Sequence, residues 1–188
     1  MFKKLMAGVM LAALAVTAIA PATVSAAPTK DIPNKLLALN ARTGSFDTLI
    51  AAATCEEFRS DAGNPLSSAV IAALAGLDGG VLYAPTDFAF KRTLGLNASN
   101  ICTAVDPETV LLPILLDHVT ADRDTFKSLR REARRGGTIE TLGGPVDVNA
   151  KYGKRLRPAL GDTNAFIKEQ RYASNGVIRV VTRVIVQS

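Results

Sequence analysis

The sequence predicts an α+β fold, with helices early and strands late. Three observations carry that prediction. Helix start signals recur at Ser45, Asn64-Pro65, Thr86 and Asp106-Pro107. Apolar residues behind those signals repeat at three- and four-residue spacing. From Thr138 onward the period changes to two, punctuated by Gly143-Gly144 and Asn175-Gly176.

The elements follow in order. In "GSFDTLIAAA", Ser45 suits the N-cap and Asp47 the positive end of the helix dipole, with Phe46, Leu49, Ile50 and Ala53 as one buried stripe. Asn64 and Pro65 open a second helix, whose inner face is Leu66, Val70, Ala73, Leu74 and Leu77 before Gly79-Gly80 stops it. Val81 to Ala84 is a short strand that Pro85 ends by withholding its N–H. Thr86 caps the following helix, Asp87 lies in its first turn, and Phe88 and Phe90 supply bulk for the core.

At "DPETVLLPILLDHV", Asp106 is a cap and Leu111, Ile114, Leu115 and His118 form the inner face. Pro113 sits too deep for a continuous helix and would cost roughly 3 kcal/mol there, so a break or kink is predicted, giving a short turn and then a second short helix. "DRDTFKSLRREARRGG" is a polar helix with Phe126 and Leu129 inward and arginines outward. "TIETLGGPVDVNA" reads as a hairpin, "AFIKEQRY" as a strand, and "KYGKRLRPALGDT" as a basic loop or edge strand. The stretch "ASNGVIRVVTRVIV" begins with a turn, where Asn175-Gly176 tolerates the positive φ of a hairpin. In the strand after it Ile178, Val180, Val184 and Val186 share a core face, and Arg179 and Arg183 point to solvent or a partner.

Lys3 and Lys4, the uncharged apolar run Leu5 to Ala20 and small residues up to Ala26 have the layout of a cleaved secretory signal peptide. The run is shorter than the roughly 20 residues a spanning helix needs, and no later segment is long and apolar enough to span. The expected organisation is a signal peptide over 1–26, an arm over 27–42 and a single domain over 43–188, secreted or periplasmic. In such a compartment Cys55 and Cys102 read as a disulfide, worth roughly 4 kcal/mol by chain entropy, or else as two buried thiols. Two cysteines so far apart, with one histidine, match no usual metal spacing.

Charge divides the chain. Residues 27–118 carry a net −4 and residues 119–188 a net +7. On a helix, Lys127, Arg130, Arg131, Arg134 and Arg135 fall on one face that only Glu132 interrupts. That face suits sulfate, phosphate or carboxylate groups of a surface polyanion, or is an ordinary solvated face. Nucleic acid fits poorly, because no aromatic groups interleave with the cations.

Several of these segments together resemble a fasciclin-type domain. "FDTLIAA" is similar to that family's first helix, and "VLYAPTDFAF" and "ASNGVIRVVTRVIV" are similar to its two signatures. "ILLDHV" resembles its Tyr-His helix and "TLGGPVDV" its central hairpin, all in the family's order over residues 44–187. The resemblance implies a wedge of two small β-sheets with several short helices on one side. It implies a secreted adhesion module that binds a cell-surface or matrix protein or a glycan, with no cofactor and no catalysis. Asp117 stands where the family has its tyrosine, so of that pair only His118 carries over. Gln170 and Arg171 stand where some animal members carry an integrin-contacting Asp-Ile pair, and Arg179 replaces a usual histidine.

Two functional readings follow. In one, the module binds a protein or glycan at a cell surface through its helical side and exposed loops, with Asp117 and His118 as candidate contacts. In the other, it is a soluble polyanion-binding protein using the basic helix 127–135. Thr86, Asp87, Asn175 and Gly176 read as structural signature residues, and His118 equally as a packed core histidine. No catalytic motif is present: the sequence holds no G-x-S-x-G, P-loop or paired-carboxylate pattern.

Overall fold

The structure is a computed structural model that describes residues 27–58, 68–151 and 157–187. The expected signal peptide and the Asn64-Pro65 helix start lie outside the described residues. Along the chain come α1 (Ile32–Thr43), α2 (Asp47–Ala53), a 3-10 turn (Glu56–Phe58), α3 (Ala69–Ala75), β1 (Gly80–Pro85), α4 (Asp87–Leu94) and α5 (Ile101–Ala104). A π-helical turn (Pro107–Leu111) leads into α6 (Leu112–Leu116), then β2 (Val119–Thr120), α7 (Phe126–Arg135) and β3 (Thr138–Thr141). β4 (Gly144–Lys151), β5 (Arg157–Leu160), β6 (Ala165–Ala173) and β7 (Gly176–Val181) complete the described elements.

The predicted α+β class holds. The strands are hydrogen-bonded in one order, β2-β1-β7-β6-β5-β4-β3, rather than as two separate small sheets. The join is β5, which pairs antiparallel with both β4 and β6 and so is an interior strand, not an edge. β1 and β7 run parallel in the interior of the sheet, in register from Gly80↔Gly176 to Pro85↔Val181. Every residue of both is buried, the mark of strands covered on both faces.

Helices indeed cover both faces, not one side alone. Leu82, Ala84, Ile178 and Val180 face a core filled by Ile32, Leu36, Leu49, Leu74, Phe90, Leu111 and Leu115 from α1 to α6. Val81, Tyr83, Val177 and Val181 face a second core, closed by Leu129 and Ala133 of α7 with Ile139, Val146 and Leu160 from the far strands. The expected arm over 27–42 is largely α1, and Ile32 and Leu36 belong to the first core. Asp31 caps that helix by accepting from the Asn34 N–H at 2.9 Å.

Local signals succeeded where they needed only neighbours. Asp106 caps the π-helical turn through the Thr109 N–H at 2.8 Å; at Pro113 the backbone does not break, because Leu111 and Leu112 are both helical and the π-helical turn passes directly into α6. Ser45 does not cap α2. Its place is taken across the fold by Asp87, whose Oδ1 accepts from the Thr48 N–H at 2.7 Å, while the Asp87 N–H donates to the Ser45 carbonyl. Thr86 does cap α4, accepting from the Ala89 N–H at 3.3 Å.

The turn before β7 works differently from its prediction. Neither Asn175 nor Gly176 has a positive φ. Asn175 instead bridges two helix ends: its Oδ1 accepts from the Ile32 N–H at 2.8 Å, and its Nδ2 donates to the Leu74 and Ala75 carbonyls at 2.8 and 3.0 Å. These are the orphan groups at the start of α1 and the end of α3. Gly176 is required by proximity, since a Cβ there would lie 2.3 Å from the Gly80 carbonyl oxygen. Cys55, just after α2, and Cys102, in α5, are joined as a disulfide with their Cα atoms 5.6 Å apart.

Candidate functional site

Helix α7 is defined by strong local signals. Thr125 and Ser128 form a capping box, each side-chain oxygen taking the other's backbone N–H at 2.9 to 3.0 Å, and Gly136 closes the helix in the left-handed conformation. Leu129 and Ala133 are buried, which fixes the rotation of the helix. Lys127, Arg130, Arg131, Arg134 and Arg135 are therefore all exposed on the outer side, as their spacing predicts. Arg131 pairs with Glu132 at 2.9 Å, and the other four cations make no ion pair among the described residues. Lys127, Arg130, Arg131 and Arg134 border a surface recess of about 770 Å³ beside Phe126. Arg134 and Arg135 also lie at the negative end of the helix dipole, where cations are favoured.

Under the N-terminal end of α7 lies a residue that the sequence pattern assigned to solvent. Arg179 is 2% exposed. Its Nη1 donates to the Tyr83 hydroxyl at 3.1 Å, its Nε to Gln170 Oε1 at 3.2 Å, and its Nη2 to the Asp124 carbonyl. The guanidinium carbon lies 5.1 Å from the Phe126 ring centre and 5.6 Å from that of Tyr83, within range of a cation–π interaction with each. A guanidinium is effectively always charged, so this arrangement replaces its water with oxygens and ring faces. Burial pushes the Tyr83 phenol up, against the opposing pull of Arg179. Burial also raises the Asp124 carboxyl, with Arg179 again opposing. The pairing that hides Arg179 sets it opposite Tyr83 across the parallel β1–β7 ladder, a register that no strand-alternation pattern contains.

His118 does not serve as a surface contact. It is 1% exposed, with Nδ1–H donating to the Ile114 carbonyl at 2.7 Å and Nε2 accepting from the Ile185 N–H at 2.9 Å. Both nitrogens are satisfied inside the domain, so the ring offers a partner no polar atom. Burial lowers its pKa from 6.5 to about 4, partly offset by the Ile114 bond, and the ring is neutral at neutral pH. Asp117 is half-buried, and burial raises its carboxyl. It lies against the β3–β4 turn, where a Cβ on Gly143 would come within 2.3 Å of its Oδ1. Asp117 and His118 therefore form no joint outward surface.

No protein-family model matches the chain, and no curated protein matches it. Among solved structures it is similar to a FAS1 domain pair from the insect cell adhesion molecule fasciclin I. That likeness covers 62% of this chain and 40% of the other, at 18% identity and a TM-score of 0.48.

The remaining predicted residues divide cleanly. Thr86, Asp87, Asn175 and Gly176 are occupied with capping and close packing, and Cys55 and Cys102 with each other. Among the described residues, no group of three or more His, Cys, Asp or Glu side chains could hold a metal ion, and no helix is long and apolar enough to cross a membrane. Of the residues read as partner-binding, His118 is buried and Asp117 half-buried, and the five α7 cations are exposed.

Proposed function

We propose that the chain is an exported, non-enzymatic binding module that attaches to an anionic glycan at a cell surface or matrix through the outer face of α7. The observation that carries this reading is the α7 face itself: five cations on about two and a half turns of helix, with Glu132 neutralising one of them. A guanidinium suits a sulfate or carboxylate group, and several on one face suit a polymer that repeats such groups. Export is supported by the signal-like N-terminus and by the disulfide, a bond that persists in oxidising compartments. Adhesion rather than simple polyanion scavenging is supported by the fasciclin-like segments, whose order along the chain is intact.

Passage of the chain lacking residues 1–26 over an immobilised sulfated glycan tests the reading. Retention at low salt and release by moderate salt are expected, because screening acts over roughly 10 Å at 0.1 M. Retention that ignores salt would place the contact on a protein-binding surface instead.

A further inference from the structure

A second cleft, remote in sequence from α7, joins an exposed aromatic ring to cationic groups. Phe88 does not fill the core as its sequence context predicts: it is 65% exposed, while Ala89 and Phe90 behind it are fully buried. Arg92 follows one turn later and so shares its face of α4. The sheet contributes Lys168. The register of β6 on β7 shifts between Ile167, opposite Val181, and Glu169, opposite Val180, leaving Lys168 as the extra residue of a bulge. Bulges bend a strand and re-aim a side chain, and here Lys168 stands with Phe88, Arg92, Val181 and Thr182 around a cleft of about 510 Å³. That volume lies within the roughly 300–1,000 Å³ of small-molecule sites.

The other polar groups of the cleft are already engaged. Thr86 Oγ1 and Asp87 Oδ1 cap helices, and Thr182 Oγ1 accepts from the Phe166 N–H at 3.1 Å. Arg92 and Lys168 make no ion pair among the described residues. Two cations against the single carboxylate of Asp87 leave a net +1, which suits one anionic group rather than a polyanion. An arginine fork favours a planar carboxylate, and an exposed phenyl face favours a flat ring lying offset upon it. We propose that this cleft binds a ring-bearing carboxylate, the ring resting on Phe88 and the carboxylate held between Arg92 and Lys168. A free aromatic acid and the C-terminal aromatic residue of a peptide both offer that chemistry.

Titration of the 15N-labelled protein with 3-phenylpropionate, its neutral amide, and a blocked tripeptide ending in phenylalanine tests the proposal. Saturable shifts confined to residues 86–92 and 166–182 are expected with the acid, and little change with the amide. F88A and K168Q, both at exposed positions, should each weaken binding about tenfold. Reversing the α7 arginines should leave it unchanged, so this result stands apart from the glycan experiment. Tighter binding of the peptide would name a peptide terminus as the source, and equal binding a free acid. Absence of saturable shifts up to about 10 mM acid, equal response to the amide, or shifts centred on α7 would overturn the proposal.

Discussion

His118 and Arg179 are buried to nearly the same degree on different sides of the β1–β7 pair, and the fold treats them in opposite ways. His118, on the side of the many short helices, can lose its charge and does. Arg179, on the side of α7, cannot, so oxygens and two aromatic rings enclose the charge. The contrast extends to the whole of each side. The many-helix side is stapled by Cys55–Cys102, tied by Asn175 and electrically quiet at its histidine. The α7 side carries a buried cation beneath the helix and five more upon it. One side holds the disulfide and the Asn175 ties, the other the concentration of positive charge.

Four perturbations separate the two sides, in order of expected effect. Replacing Cys55 and Cys102 by alanine should cost roughly 4 kcal/mol of stability in the chain-entropy model, measured by denaturant unfolding, while leaving glycan retention intact. Retention lost with the disulfide would mean that α7 depends on the other side. Acid should act next, through His118. The unfolded imidazole takes up a proton near pH 6.5 that the folded ring refuses until about 4, so the unfolded state binds more protons in that window. The contribution is fully present above 6.5 and falls by roughly 3 kcal/mol as pH drops to 4. H118Q should flatten that slope, seen as parallel melting curves across the window.

Arg179 should respond to shape rather than to pH. R179K keeps the charge but loses the fork, and should cost about 1.5–3 kcal/mol, with faster amide exchange at the start of α7. An R179K protein with unaltered exchange in Phe126 to Leu129 would show that the guanidinium does not anchor the helix. The smallest effect belongs to N175A, about 1–2 kcal/mol from two uncapped helix ends, with exchange rising at Ile32 and near Leu74.

The parts of this fold that sequence makes legible are those fixed by near neighbours. The caps at Thr86 and Asp106 and the outward face of α7 follow from spacing within a turn or two. What was hidden depends on partners far along the chain. Asn175 looks like a turn residue until Ile32 and Leu74 are brought beside it. Arg179 looks exposed because strand alternation assumes one wet face, and β7 has none. Phe88 looks like core because nothing local says that Ala89 and Phe90 already fill the space beneath α4. His118 was readable as a core residue from its apolar helical face, but its two bonds were not.

The most direct test of the α7 face compares adhesion of beads coated with the chain lacking residues 1–26 and with its R130E/R131E/R134E/R135E variant, on surfaces bearing a sulfated glycan at low salt. Each lost charge-assisted contact is worth about 1.5–3 kcal/mol, so reversal of four should remove adhesion while the melting temperature stays close to that of the parent. Undiminished adhesion by a folded variant would contradict the account and move the binding surface off α7.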